Sequence, residues 1–175
     1  MNMNEQAIFD VHERLSHRFY GKYRGIVTDV DAPTLRIKAK VQQVLGNSPS
    51  GWCMPCVPYA GKKVGMAFLP EIGSGVWIEF EGGDVSLPIW AGCFWFEGAE
   101  PEEAKPHVKT IVTVAKHKIL LDDDAGKIVI STNNGNTVTL DGAGITLERG
   151  SKVVISTGTV DINDGALEVR VLEVA

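Results

Sequence analysis

Between residues 21 and 97 the chain alternates short apolar runs with turn-forming residues, a pattern that predicts an all-β unit. The clearest run is LRIKAKV at 35–41, in which aliphatic and basic residues alternate as in a strand with one buried face. Strands are predicted over residues 23–30, 35–44, 52–59, 64–69, 76–80 and 87–94. A small closed barrel is the most economical arrangement because closure removes exposed edges, although the pattern alone also fits a sandwich.

A helix is predicted ahead of this unit, over residues 4–19 of an N-terminal segment 1–20. Apolar residues recur there at spacings of three and four, which places them on one stripe of the helix. The stripe consists of Ile8, Val11, Leu15 and Phe19. An apolar stripe of this kind needs a surface to lie against.

The last part of the chain, residues 109–175, follows a different pattern of short strands closed by glycines. These glycines recur at steps of 9, 9, 6, 8 and 7 residues, which is typical of a degenerate strand-and-turn repeat. They are Gly126, Gly135, Gly144, Gly150, Gly158 and Gly165. Each segment offers two or three inward aliphatic residues. The predicted inward set is Ile128, Ile130, Val138, Leu140, Val160 and Ile162.

This C-terminal unit contains no aromatic residue, since all six Phe, four Trp and three Tyr lie at or before Phe96. Small side chains on short strands leave an apolar face in water, and one copy alone cannot offset the conformational entropy lost on folding. The unit is therefore predicted to bury that face against copies of itself. Three intertwined chains in a three-sided β-helix or β-prism would do so, around an axis too narrow for Trp or Phe.

Composition adds a linker and excludes several classes of function. Residues 98–108 hold three glutamates and two prolines, as in a stiff solvated linker. The predicted order is therefore helix 1–20, barrel 21–97, linker 98–108 and the three-chain β-helix at 109–175, which we call the needle.

The charge of the chain argues against one class of function. The 17 basic and 22 acidic residues give a net charge of −5, which argues against binding nucleic acid through its phosphates. The apolar runs are too short for a membrane helix, and the N-terminus does not resemble a signal peptide, so we expect cytoplasmic synthesis.

No motif in the sequence predicts catalysis, a cofactor or a bound metal. Cys53 and Cys56 form a lone C-x-x-C, and with Cys93 they fit packing in apolar strands better than a zinc or redox site. The four histidines form no metal-binding motif, and the acidic runs at 122–124 and 161–164 fit solvated turns better than calcium loops. The chain also lacks a G-x-S-x-G motif and an insert that could hold a lytic domain, so we expect no enzyme.

Several motifs of the barrel resemble those of a known family. They are GIVTDVD at 25–31, LRIKAKV at 35–41 and, most tellingly, FLPEIGSGVWIEFEGGD at 68–84. With these motifs, residues 21–96 resemble the OB-fold domain of baseplate assembly protein V, the central spike of contractile phage tails, which is related to the VgrG spikes of type VI secretion. The loop at 42–51 is longer than in the shortest members, and the Cys53/Cys56 pair is not a family hallmark. An OB barrel followed by a trimerising needle is the family's architecture, in agreement with the needle inferred from residues 109–175.

The resemblance implies a homotrimeric structural spike. The helix stripe and the outer barrel face would dock on a hub or tube-initiating protein, and the needle would pierce the target envelope. The chain's last apolar residues would either complete the needle core or dock a tip protein of the PAAR type. These residues are Val169, Val171, Leu172, Val174 and Ala175. The spike would assemble in the bacterial cytoplasm. It would serve a phage tail, a bacteriocin, a type VI system or an extracellular injection particle, with or without effector cargo on its tip.

One alternative of a different class fits the barrel. An OB barrel on a trimerising stalk would bind single-stranded nucleic acid or an oligosaccharide, with tryptophans as stacking platforms. The tryptophans are Trp52, Trp77, Trp90 and Trp95. The acidic net charge and the concentration of basic residues in one strand weigh against this alternative.

Overall fold

The structure is a computed structural model that describes residues 6–8, 11–12 and 17–170, with the backbone alone described at 168–170. The chain divides into two compact units, Met1–Ala99 and Glu100–Ala175. Strands form nearly all of the regular structure in both units, which confirms the predicted all-β class. In the described part of the chain, no helix has the length and apolar character needed to span a membrane.

The N-terminal unit is built on one sheet and a separate small hairpin. Its strands are β1 (Tyr23–Asp31), β2 (Arg36–Lys40), β3 (Met54–Pro55), β4 (Ala60–Gly61), β5 (Val64–Gly65), β6 (Gly75–Phe80) and β7 (Pro88–Phe94). The sheet has the order β2-β1-β6-β7-β3, in which all neighbours are antiparallel except β7 and β3. β4 and β5 pair with each other as the hairpin.

Hydrogen bonds tie the two outer strands of this sheet together. Cys53, directly before β3, donates its N–H to the Ile37 carbonyl of β2 at 2.8 Å. Next to this bridge, the Ser50 hydroxyl accepts the Ala39 N–H at 3.0 Å, and the Ser50 N–H donates to the Ala39 carbonyl at 2.9 Å. Because β2 and β3 lie at opposite ends of the strand order, these contacts close the sheet, and the result fits the predicted OB-fold barrel.

The barrel core forms where the inner faces of the strands meet. The alternation predicted for β2 is confirmed at Ile37, Ala39 and Val41, which are fully buried. Leu35, which the same alternation places inward, instead lies exposed in the turn before β2 with a φ of 55°. Its carbonyl accepts the indole N–H of the buried Trp90 at 3.3 Å. The core comprises Val27, Ile37, Ala39, Val41, Cys53, Val76, Ile78, Phe80 and Trp90.

Three strands of the barrel are shorter than the pattern predicts. The strand predicted over 35–44 ends at Lys40, and α1 (Gln42–Leu45) follows as one helical turn that packs Val44 and Leu45 against the core. The long strands predicted over 52–59 and 64–69 are wrong, because only the two-residue strands β3 and β5 form within these ranges, with β4 between them. Prolines at positions 55, 58 and 70 remove backbone donors from this segment, so a long ladder cannot form.

The N-terminal segment is only partly as predicted. Residues 6–8 and 11–12 are helical, within the predicted helix, and Ile8 and Val11 are exposed. Phe19, which the stripe groups with them, is not helical and packs edge-on against Tyr23 and Phe80. Its N–H donates to a barrel carbonyl, that of Gly83, at 2.9 Å. Phe19 therefore belongs to the barrel packing, because an aromatic cluster there covers its ring.

The C-terminal unit is a single antiparallel meander of eight strands. They are β8 (Val108–Val112), β9 (Lys118–Asp122), β10 (Lys127–Ser131), β11 (Thr137–Asp141), β12 (Gly144–Arg149), β13 (Ser151–Ser156), β14 (Thr159–Ile162) and β15 (Leu167–Arg170). Each strand pairs with its neighbours in sequence, so the sheet order runs from β15 to β8 without a crossover.

Glycines close the turns of the meander at the predicted places. All six predicted glycines have a positive φ, between 58° and 136°, which the tight turns of a meander require. Gly144 is the most constrained, because a Cβ at that position would lie 2.0 Å from the Ile155 carbonyl oxygen. The polar turn predicted at 161–164 is present only in part: Asn163 and Asp164 lie in the turn, with φ values of 53° and 51°, whereas Asp161 and Ile162 belong to β14.

Candidate functional site

The C-terminal sheet has one aliphatic face. Directly opposite residues of antiparallel strands share a face, so the register assigns each side chain to one side of the sheet. The first row of this face is Ile111, Ile119, Ile130, Val138, Leu147, Val153, Ile162 and Leu167. The second row is Lys109, Leu121, Ile128, Leu140, Ile145, Ile155 and Val160. We call these two rows the aliphatic face, in which Lys109 is the one polar member.

Most Ile and Leu residues of the aliphatic face are exposed to solvent in a single chain, whereas Val138, Val153, Val160 and Ile162 are half-buried. Ile130, for example, keeps 47% of its surface exposed and Ile119 keeps 40%. All six residues of the predicted inward set lie on this face, three in each row. The sequence interpretation missed others, such as Ile145 and Leu147, although the glycine-closed segments place them at equivalent alternate positions. A continuous surface of Ile, Leu and Val this wide is characteristic of an interaction site.

The opposite face of the same sheet is mostly polar. It carries Thr110, Lys118, Lys127, Ser131, Thr137, Thr139, Thr146, Lys152, Ser156 and Asp161, with Val112, Leu120, Val129 and Val154 between them. Lys118 pairs there with the carboxylate of Glu103. This hydrogen bond is the main cause that lowers the pKa of Glu103. The sheet is thus amphipathic, and the aliphatic face is the one that an apolar partner would bury.

The last residues of the chain were predicted to complete the needle core or to dock a tip protein. In β15, Val169 lies opposite Val160, in register with the second row of the aliphatic face. Val171, Leu172, Val174 and Ala175 lie outside the described residues. Tip docking therefore stays a prediction.

The predicted hub-facing stripe is described only in part. In the described part of the chain, Ile8 and Val11 are 70% and 55% exposed, so both side chains are accessible to another protein. Leu15 lies outside the described residues, and Phe19 packs on the barrel. Phe19 is thus not available for the predicted docking.

The three cysteines do not form a common site. Cys53 is buried, with its Sγ 3.2 Å from the Ser50 hydroxyl, and burial raises the pKa of its thiol. The prediction that Cys56 and Cys93 also pack in apolar strands is wrong, since both are exposed. β3 ends just before Cys56, and the register of β7 shifts just before Cys93. Across residues 6–8, 11–12 and 17–170, no three His, Cys, Asp or Glu residues converge as a metal-binding group.

The four tryptophans that the nucleic-acid alternative uses as stacking platforms differ in exposure. Trp90 is buried in the barrel core, which is a correction to its assignment as a platform. The Lys38 ammonium lies 4.7 Å from the centre of the Trp52 ring, and the Arg24 guanidinium lies 5.8 Å from that of Trp77. Trp95 is the most exposed of the four.

The EGGD sequence at 81–84 builds a turn that holds the N-terminal segment on the barrel. Asp84 accepts the Ser86 N–H at 3.0 Å and the Ser86 hydroxyl at 2.7 Å, while its second oxygen pairs with Arg18 at 3.1 Å. These interactions, the Ser86 hydroxyl foremost, lower the pKa of Asp84. Gly83 has a φ of 77° and leaves no room for a Cβ, which would lie 3.0 Å from the Cβ of Arg18. The motif therefore has a structural task.

Comparison with known families finds matches in both units. Residues 23–95 match a family described as the type VI secretion system/phage-baseplate injector OB domain. Residues 109–168 match a family described as the phage baseplate V C-terminal trimerisation domain. Together the two matches span well over half of the chain, and the second coincides with the strands that carry the aliphatic face. No curated protein matches the chain.

Proposed function

The chain belongs to the phage baseplate V family, and on this premise we propose that it is the central spike of a contractile tail or injection system. Its C-terminal unit is a trimerisation domain of that family, through which the chain self-associates as a homotrimer. The observation that carries the proposal is the aliphatic face, which lies on the matched strands and is partly exposed in one chain.

In the proposed trimer, three aliphatic faces turn towards one axis. Complete burial of a Val, Leu or Ile side chain contributes roughly 1.5–3 kcal/mol, and each chain supplies two rows of such residues. Their uniform small size suits a narrow three-sided prism, whereas an aromatic side chain would hold the sheets apart. The predicted core residues Ile128, Ile130, Val138, Leu140, Val160 and Ile162 would line this axis. The polar faces would then form the outer surface of the rod.

The proposed role of the rod is mechanical. Every strand between β9 and β14 is hydrogen-bonded on both sides within its own chain, so the ladder is continuous along the meander. Burial of the aliphatic faces would join three such ladders into a stiff needle. Contraction of a sheath would supply the force that drives it into a target envelope, and no bond chemistry is required of the chain. The proposal therefore assigns it no enzymatic activity.

Two further partners belong to the proposal. The barrel and the exposed residues Ile8 and Val11 would dock on a hub or tube-initiating protein, so that the trimer caps the tube. The end of the needle would receive a PAAR-like tip protein, with or without effector cargo. Family membership supports both assignments, and the exposed apolar residues Ile8 and Val11 support the docking on a hub.

Complementation of particles that lack this chain would test the spike function. Leu140→Asp places a charge on the aliphatic face, and Thr139→Asp places the same charge on the opposite face of the same strand. Wild type and Thr139→Asp are expected to restore target-cell killing or injection, with axial density at the tube end in electron micrographs. Leu140→Asp is expected to restore neither. Full activity of Leu140→Asp, or the absence of the wild-type chain from purified active particles, would overturn the proposal.

A further inference from the structure

The hairpin of the barrel unit, formed by β4 and β5, carries an apolar face that is exposed in the described part of the chain. Ala60 and Gly65 are opposite each other, and the Met66 N–H donates to the Tyr59 carbonyl at 2.9 Å, so the pairing continues outward from the turn. Alternate and directly opposite residues share a face. Tyr59, Val64 and Met66 therefore lie together, and about half or more of each remains exposed. We call these three residues the hairpin face.

A second exposed surface on the same unit is concave and partly aromatic. It is a groove of about 540 Å³ lined by Ile26, Phe94, Trp95 and Phe96, with the charged residues Arg24, Lys40 and Glu97 beside them. Trp95 keeps 65% of its surface exposed and Phe96 keeps 46%. The Phe94 and Phe96 rings meet edge to face, with 5.3 Å between their centres, which gives the groove a fixed aromatic wall. We call this surface the aromatic groove.

These two surfaces do not cover each other within one chain. The hairpin face is exposed, and none of its three residues lines the aromatic groove. The groove also lies close in sequence to the trimerisation domain, because only 11 residues separate Phe96 from the start of β8. At roughly 3.5 Å per residue, that connection confines each barrel to within about 40 Å of the start of β8 in its own chain.

Trimerisation therefore brings three copies of both surfaces together. Short tethers produce effective concentrations of about the millimolar range, at which even a weak apolar contact forms. A closed three-fold ring requires head-to-tail contacts between two unlike surfaces of each copy. The barrel unit provides such a pair, one convex and one concave.

We propose that the hairpin face of one copy docks in the aromatic groove of the next copy, so that the three barrels close into a ring. Met66 has a flexible thioether that adapts to an aromatic pocket, and sulfur–aromatic contacts add to the area buried. Each copy gives one hairpin face and receives one, so all six surfaces are covered without a second kind of protein. The inference rests on the homotrimer and is independent of the piercing role.

Disulfide trapping would test the ring. In a background of Cys56→Ser and Cys93→Ser, which removes the exposed thiols and keeps the buried Cys53, the pair Met66→Cys and Trp95→Cys is oxidised in the full chain. The expected product is a covalent trimer on a boiled, non-reducing gel, because each copy is linked to both neighbours. Each single variant is expected to run as a monomer. The pair Thr34→Cys and Trp95→Cys is the matched control, with an exposed partner in a different turn, and is also expected to stay monomeric.

Light scattering of each variant before oxidation distinguishes failure of the barrel ring from failure of the trimer itself. A trimer that does not crosslink through positions 66 and 95, or that crosslinks equally in the control pair, overturns the ring and leaves the spike intact. Covalent dimers from Met66→Cys alone also overturn it, because they show like surfaces in contact. A wild-type chain that is not a trimer overturns both the spike and the ring.

Tryptophan fluorescence gives a second test that needs no new thiols. Met66→Glu would bring a carboxylate to the aromatic groove of the next copy, so the emission should shift to the red relative to wild type, and this shift should disappear in a Trp95→Phe background. Lys62→Glu, at the exposed turn of the same hairpin, is expected to leave the emission unchanged. Identical spectra for Met66→Glu and wild type, with both proteins trimeric, would contradict the docking.

Discussion

Ile145 of β12 and Ile155 of β13 lie directly opposite each other in the C-terminal sheet, yet 38% and 41% of their surfaces remain exposed. They contact each other across the ladder, but a large part of each side chain is open to solvent in the single chain. Other members of the aliphatic face, such as Ile128 and Leu147, are exposed to the same extent. Every strand from β9 to β14 is therefore hydrogen-bonded on both sides while its aliphatic residues stay partly unpacked, and other copies of the chain complete the packing in the proposed prism.

Replacement of Ile145 by aspartate is expected to prevent trimerisation. In the prism three carboxylates would approach one axis without water or a cationic partner, at an effective cost of several kcal/mol per buried charge. Light scattering should show a mass of about three times 18.9 kDa for wild type and a lower mass for Ile145→Asp at neutral pH. Thr146→Asp, the neighbouring residue on the polar face, should remain a trimer. Equal masses for the two variants would contradict this orientation of the sheet.

Gly144→Ala is expected to destabilise the C-terminal unit strongly. The φ of 136° is strained for alanine, and the added Cβ would lie 2.0 Å from a backbone oxygen that belongs to the adjacent strand. Strain of this kind costs about 1–3 kcal/mol per chain, to which the steric overlap adds, and a trimer contains it three times. Thermal unfolding followed by circular dichroism should show a lower midpoint. Gly142→Ala is the matched control, since a Cβ added there would meet nothing within 4 Å and its φ is not positive, and it should unfold like wild type.

The C-terminal unit was the more predictable half because local signals decide its structure. A positive φ favours glycine, and six of the seven strand connections have one, so residues such as Gly126 and Gly158 mark the ends of segments in the sequence itself. The β8–β9 connection instead has Lys116 at a φ of 66°. Between these marks, the period of two assigns Ile128 and Ile130 to one face without any knowledge of distant contacts.

The barrel was less predictable because distant contacts override its local patterns. Phe19 fits a helical stripe by spacing, but the rings of Tyr23 and Phe80 draw it into the barrel. The aromatic groove could not be found from sequence, since it requires Ile26 of β1 beside Phe94 of β7, two strands apart in the sheet. The three-residue spacing of Cys53 and Cys56 gave no sign that one thiol is buried and the other exposed.

Ser50→Ala is expected to weaken the closure of the barrel. The Ser50 hydroxyl accepts the buried Ala39 N–H and donates to the Gly51 carbonyl at 2.8 Å, so its removal leaves the Ala39 donor without this acceptor. The expected loss is about 1–3 kcal/mol in the free energy of unfolding. Because all four tryptophans lie in the barrel unit, urea unfolding monitored by tryptophan fluorescence reports on this unit. Ser48→Ala, an exposed serine in the same loop, should change little, and equal losses in both variants would argue against the role of the hydroxyl.

Asp84 is expected to make barrel stability depend on acidity. Its pKa in the folded protein lies below the ordinary value of 3.8, chiefly because the Ser86 hydroxyl donates to the carboxylate. Because this pKa is lowered, the ionised carboxylate stabilises the fold at pH values above the ordinary pKa. This contribution disappears as the pH falls through the pKa of the folded protein. The difference in unfolding free energy between wild type and Asp84→Asn should therefore be largest near neutral pH and shrink in acid, as measured by tryptophan fluorescence at a series of pH values. Ser86→Ala keeps the carboxylate and removes its strongest donor, so it should show an intermediate dependence. A difference between wild type and Asp84→Asn that stays constant across the series would show that the carboxylate charge does not stabilise this turn.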